Sequence, residues 1–179
     1  MIVRLALWFL LLFGGAAVGL WLDARYFPRL LVSPWFHLLA FAPGVAILWL
    51  VVRVSRNTGR WLARHGREGE LPRLETNRLV TTGPYACMRH PMHLGLLFFP
   101  LAVALLLGSP SFAFMVAPVE MLLIVLLIRL LEEPEARRKF GDPYAAYRRG
   151  VPMFSLRPDC LRRLLSDPLA APRESGRKS

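Results

Sequence analysis

The chain has 179 residues, 55% of them hydrophobic, with a formal net charge of +11 and a mean hydropathy of +0.41. Its length fits one small domain, and its apolar fraction excludes an ordinary soluble one. The positive charge selects anionic partners. Because the basic residues flank apolar runs, an anionic lipid leaflet suits them better than nucleic acid, and no nucleic-acid partner is expected. The two cysteines, Cys87 and Cys160, suggest no disulfide framework, and Cys87 falls in a stretch read as cytoplasmic, where thiols stay reduced.

In chain order, residues 2–22 carry one charge, Arg4, and are long enough to cross a bilayer, which takes roughly 20 apolar residues. A secretory signal peptide is the competing reading, but no small-x-small cleavage site precedes a polar region. Gly15 and Gly19 form GxxxG, which predicts close packing on a neighbouring helix. The run GGAAVG does not follow a strand, so it is not a dinucleotide loop. Residues 23–30 read as a connector and residues 31–52 as a second span containing Pro34, His37 and Pro43. His37 lies near the outer end, where a structural role is favoured over a ligand role.

Residues 53–82 are polar and rich in arginine (Arg53, Arg56, Arg60, Arg64, Arg67, Arg73, Arg78), set against Glu68, Glu70 and Glu75. The stretch after Leu131 is also basic, whereas the connector at 23–30 carries only Asp23, Arg25 and Arg29 and that at 108–110 no charge. The positive-inside rule then predicts four spans with both termini cytoplasmic. Within this loop, residues 57–67 read either as an interfacial helix, with Trp61 and Leu62 toward lipid, or as a solvated loop.

The informative stretch is GPYACMRHPMHLG, from Gly83 to Gly95. Gly83-Pro84 forms a turn. His90 precedes a proline and is biased away from helical angles, while Pro91 suits a first helical position, so a helix is predicted to begin there. Its N–H groups, with Arg89 beside them, suit a carboxylate or phosphate. An apolar run over 92–131, broken once at Gly108-Ser109-Pro110, reads as a helical hairpin. The hairpin returns its two polar ends to one membrane face. Glu120 sits near the middle of the second arm, where an ionisable group is functional by default or pairs with a polar group of a neighbouring helix. At the exit, Arg129 and Glu133, like Glu133 and Arg137, are spaced i, i+4 and share a face, while Glu132 points about a quarter-turn away. The two glutamates should therefore differ in role, one ion-paired and the other open to a ligand. Pro134 starts an amphipathic helix, Asp142-Pro143 starts another turn carrying Tyr144 and Tyr147, residues 151–158 are extended, and 161–165 form a short amphipathic segment. Residues 167–179 read as disordered.

These motifs, G-P-Y-x-x-x-R-H-P-x-x-x-G, a hairpin, R-x-x-E-E-x-x-x-x-x-x-F-G-x-x-Y-x-x-Y and V-P-x-F, resemble the integral-membrane methyltransferases over residues 79–158. That group includes isoprenylcysteine carboxyl methyltransferases and phospholipid N-methyltransferases. The resemblance implies an all-α integral membrane protein with S-adenosylmethionine as methyl donor, held by helices at the cytoplasmic face. It implies donor contacts from Gly83, Tyr85, His90, Pro91 and Gly95 in one segment and from Glu132 and Glu133 in another, with Arg89 orienting the acceptor. Tyr144, Tyr147 or Tyr85 can stack on adenine or face the sulfonium. Where the family often has tyrosine two residues after the RHP proline, this chain has His93, a candidate base if the acceptor is an amine. The acceptor is expected to be a lipid or another lipophilic molecule offering a carboxylate, amine or thiol, and no metal is expected. On this reading the chain divides into two spans over 1–52, a basic loop over 53–82, a catalytic core over 83–158 and a basic tail over 159–179. Two other classes stay open: a membrane reductase using NADPH, and a non-enzymatic membrane adaptor.

Overall fold

A computed structural model describes residues 2–69 and 76–166; Glu70, Arg73, Glu75 and the tail at 167–179 lie outside the described residues. The described residues are helical and contain no strand. Three helices are long and apolar enough to cross a membrane: Ala6–Tyr26, Pro34–His65 and Phe112–Gly150. The remaining apolar helix, Pro91–Leu107, is shorter. At about 1.5 Å per residue it reaches about 25 Å, against a hydrocarbon core of about 30 Å. The chain forms two compact units, Met1–Val51 with Gly95–Pro134, and Val52–Leu94 with Glu135–Ser179.

In the first unit, α1 (Ile2–Tyr26) packs on a π turn at Phe112–Val116 and on α6 (Ala117–Leu127). The GxxxG glycines permit this approach. A Cβ at Gly19 would lie 3.0 Å from the Phe112 Cα, and one at Gly15 would collide with the Glu120 carboxylate. Ala104, Phe112, Ala113 and Ala117 form the buried centre of this packing. Helix α5 (Phe99–Leu107) is separated from α4 (Pro91–Leu97) at Phe98, because Pro100 cannot supply the amide that a continuous helix needs there. It ends at Gly108, whose φ of 62° is left-handed, and the Ser109 amide donates to the Ala104 carbonyl at 3.0 Å. That is a glycine-terminated helix end at the predicted hairpin break. The His37 ring abuts Gly108 and bonds the Leu31 carbonyl at 2.7 Å, a structural role as expected.

The 23–30 connector is mostly helical instead. Helix α1 runs on to Tyr26 and α2 (Pro28–Leu31) follows. The reason is Asp23, which is fully buried and turned inward. Its carboxylate accepts from the Ser109 hydroxyl and, at 2.8 Å, from the Ser111 amide, and the Ser109 oxygen accepts from the Phe112 amide at 3.1 Å. One side chain thus satisfies the start of the helical arm after the hairpin turn, where amides lack helical partners.

In the second unit, the end of α3 (Pro34–His65) packs with α8 (Pro158–Leu165) and with the stretch before α4, around Val54, Met88, Leu94, Cys160 and Leu164. Residues 57–65 are helical as a direct continuation of the second span, not as a separate helix. Asn57 donates to the Leu164 and Ser166 carbonyls, both at 3.0 Å, and Arg53 donates to the Leu165 carbonyl at 2.9 Å, so α3 caps the end of α8. Cys87 and Cys160 form a disulfide, contrary to the free thiols expected. They are 73 positions apart, and the packing of α8 beside the Gly83–Ala86 turn brings their Cα atoms to 5.6 Å.

Asp23→Ala should lower stability by about 1–3 kcal/mol, the cost of leaving a buried donor unsatisfied. Thermal unfolding in detergent would measure it. A variant as stable as the parent would show that the carboxylate does not fasten the hairpin turn.

Candidate functional site

The Gly83–Ala86 segment is a short 3-10 turn entered from Thr82 in an extended conformation. Gly83 has φ 61°, and a Cβ there would collide with the Trp61 indole, so both backbone and space demand glycine. Trp61 stacks on His65 with ring centroids 4.1 Å apart. Its indole nitrogen is buried and has no hydrogen-bond partner among the described residues. Of the two readings of residues 57–67, the helical one holds as far as His65, as a continuation of α3 that turns the Trp61 ring onto the glycine.

Tyr85 is buried, and burial pushes its phenol well above the usual tyrosine range. Its carbonyl accepts from the Tyr147 hydroxyl at 2.5 Å, and the Met88 carbonyl lies 3.4 Å from the same hydroxyl. Arg89 is tied to the end of α7 (Glu133–Gly150): its guanidinium donates to the Arg148 carbonyl at 3.1 Å and to that of Val151 at 2.7 Å. A cation at a helix C-terminus also complements the dipole there. Next, the Arg89 and His90 amides donate to the Pro152 and Met153 carbonyls at 2.9 and 3.2 Å, which fastens the extended 151–158 segment alongside. His90 then begins α4, its carbonyl accepting from Leu94 at 3.1 Å, with Pro91 buried at the first helical position as predicted. The His90 and His93 rings meet edge-on at 5.6 Å, and Tyr144 and Tyr147 do so at 6.2 Å.

Helix α7 bends at Gly141, with φ 59° and ψ −137°, so a second helical stretch restarts at Asp142-Pro143 as the sequence indicated. This restart places Tyr144 and Tyr147 in the second unit. That unit thus brings together Gly83, Tyr85, Arg89, His90, Pro91, His93, Tyr144 and Tyr147, from parts of the chain about sixty residues apart. Gly95, Glu132 and Glu133 belong to the first unit. Glu133 is buried at 3% exposure and Glu132 is half-buried. The 3.6-residue spacing assumed for them fails, because Ile128–Glu132 is a π turn in which the Glu133 amide bonds the Ile128 carbonyl five residues back. Trp61 was the contributor that sequence reasoning missed. Its spacing from Gly83 carries no signal, since only the uninterrupted length of α3 delivers it.

These features define an all-helical membrane protein in which a glycine-, tyrosine- and histidine-bearing stretch is fastened to helix ends. The family model for phospholipid methyltransferases matches residues 35–143, more than half of the chain, and the chain belongs to that family. Membership carries methyl transfer to a lipid or membrane-borne substrate. No curated protein and no solved structure matches the chain.

Tyr147→Phe should cost about 0.5–1.5 kcal/mol by removing the bond to the Tyr85 carbonyl. For Tyr85 the folded pKa lies above the unfolded value of about 10. Its contribution is therefore fully present below pH 10 and is lost as pH rises from there toward the folded value. Tyr85→Phe should flatten the alkaline limb of a stability-against-pH curve, and an unchanged limb would contradict this assignment.

Proposed function

We propose that this protein transfers a methyl group from S-adenosylmethionine to a lipophilic acceptor at the cytoplasmic membrane face, with both termini cytoplasmic. The observation that carries the reading is the fastening of the GPY-x-x-x-RHP stretch to the Tyr144–Tyr147 turn and the segment after Gly150. The GPY-x-x-x-RHP stretch, the Tyr144–Tyr147 turn and the V-P-x-F segment, remote in sequence, adjoin within the second unit. The residues fit the donor's chemistry. Trp61, packed against Gly83, supplies a buried N–H that lacks a partner among the described residues. Tyr85 and the Tyr144–Tyr147 pair supply aromatic rings for adenine or a sulfonium. Of the two glutamates, Glu132 is assigned to the donor's ammonium or ribose hydroxyls, and the more buried Glu133 to the fold.

When bound, S-adenosylmethionine supplies an electrophilic methyl group. The protein's work is to orient donor and acceptor in line and to exclude water. A carboxylate or thiolate acceptor needs no base. An amine acceptor must first lose a proton, a role assigned to His93, His90 or a glutamate. Arg89 is proposed to orient the acceptor while holding the end of α7. His93 stands where tyrosine is usual, so His93→Tyr should keep donor binding and alter acceptor preference.

The purified protein in detergent should gain thermal stability with rising S-adenosylmethionine or S-adenosylhomocysteine, as linkage requires, and none with NADPH. The reverse pattern would favour a membrane reductase, and no shift with either would favour an adaptor. His90→Ala and Glu132→Gln should weaken donor binding by about 1–3 kcal/mol, whereas Glu133→Gln, at the more buried carboxylate, should mainly lower stability. Normal donor affinity in both the His90 and the Glu132 variants, with folding intact, would place the donor elsewhere. Reporter fusions after Arg67 and Arg163 should both read cytoplasmic, and one within residues 23–30 the opposite side. Opposite readings at Arg67 and Arg163 would overturn the proposed topology.

A further inference from the structure

Away from the motif-bearing stretches, the first unit holds a cavity of about 300 Å³ between α1, the α4–α5 arm and α6. Its walls include Trp8, Leu12, Leu96, Phe99 and Ile124, and among the lining residues the one ionisable side chain is Glu120. The volume sits at the small end of the range for small-molecule sites, about 300–1,000 Å³. Phe9, also on the wall, is 58% exposed, so the cavity reaches the outer surface of the unit.

Glu120 is only 4% exposed, and neither carboxylate oxygen has a hydrogen-bond partner among the described residues. Its carboxylate lies against Gly15, where any larger residue would displace it. A polar group taken out of water without a partner is costly, and an ionisable one within a membrane helix especially so. A ligand that relieves this cost must bring N–H or O–H donors to the carboxylate and an apolar body to the remaining wall. An ammonium supplies several donors and an opposite charge, whereas an alcohol supplies one donor and no charge, and an anion would be repelled.

We propose that this cavity is a binding site for a lipophilic amine, with its nitrogen donating to Glu120 and its chain lying against Trp8, Leu12 and Phe99. The site rests on the first unit alone and does not depend on the methyl-transfer reading. Trp8 provides the readout. The full chain in phosphatidylcholine nanodiscs, without methyl donor, would be titrated with a bromine-tipped undecylamine and with the undecanol of equal length, following tryptophan quenching. The amine should quench saturably at concentrations about tenfold or more below the alcohol, as a charge-assisted bond predicts. Glu120→Gln should erase that preference, and Trp8→Phe should remove the saturable quenching. Equal potency of amine and alcohol in the parent would mean an acyl-chain site only. A stronger alcohol would mean that Glu120 acts as a donor. Either result, or an amine preference surviving Glu120→Gln, overturns the proposal. Should Glu120→Gln fail to fold, the amine-to-alcohol ratio in the parent and the Trp8→Phe variant decide the matter.

Discussion

In hydrocarbon a polar group cannot turn to water, so every one that the chain carries into the bilayer must be satisfied by the protein or by something bound to it. Asp23 shows the first solution. It is fully buried, yet it accepts from a hydroxyl and an amide at the hairpin turn, so its carboxylate fixes where the second arm begins. Without it, the end of α1 and the start of the Phe112–Val116 turn would hold unsatisfied groups in an apolar setting. Glu120 shows the other condition, a buried carboxylate with no such partner among the described residues. Two acidic residues on helices that pack together are thus distinguished by their neighbours rather than by their depth. Two serines meet Asp23, while Gly15 and apolar side chains meet Glu120.

Outside the apolar spans, the same demand is met by helix ends. The guanidinium of Arg89 collects carbonyls from the last turn of α7, Asn57 and Arg53 collect those at the end of α8, and the Tyr147 hydroxyl reaches the Tyr85 carbonyl. Each contact joins segments dozens of residues apart. In this way a stretch with little regular structure of its own, Gly83 to His90, acquires a fixed course. The segment proposed to bind the donor needs that property, since positioning is the larger part of what a methyl-transfer site contributes.

Much of this was legible in the sequence where a residue type dictates backbone geometry. Pro91 marked a helix start, Gly108 a helix end with positive φ, and Asp142-Pro143 the restart after Gly141. His37 and the GxxxG pair were legible for similar reasons, because imidazole at a span's outer end and paired glycines have few structural uses. What was not legible depends on contacts that spacing does not encode. Asp23 meets Ser111 across 88 positions, and Cys87 meets Cys160 across 73. A charge after an apolar run looks like the start of a connector, so α1 was ended too early. The arginines after Val52 read as a loop or as a separate interfacial helix, whereas those up to Arg64 continue α3, which carries Trp61 to Gly83.

The paired glutamates expose a subtler limit. Reading Arg129, Glu132, Glu133 and Arg137 at 3.6 residues per turn assumes an unbroken α-helix. Yet Ile128–Glu132 is a π turn, and the turn at Phe112–Val116 is another. Each widens the helix by closing its hydrogen bond one residue later, so every side chain beyond it is rotated relative to the α-helical expectation. The second ends where Glu132 gives way to Glu133, so the direction in which each carboxylate leaves the helix is set by that wide turn rather than by i, i+4 pairing. No residue type in I-R-L-L-E announces it. A π turn is held by the packing around it, which here includes the buried Ile128 within the first unit. The assignment of one glutamate to structure and the other to a ligand therefore rests on burial, 3% exposure at Glu133 against a half-buried Glu132, and not on the face each was expected to share.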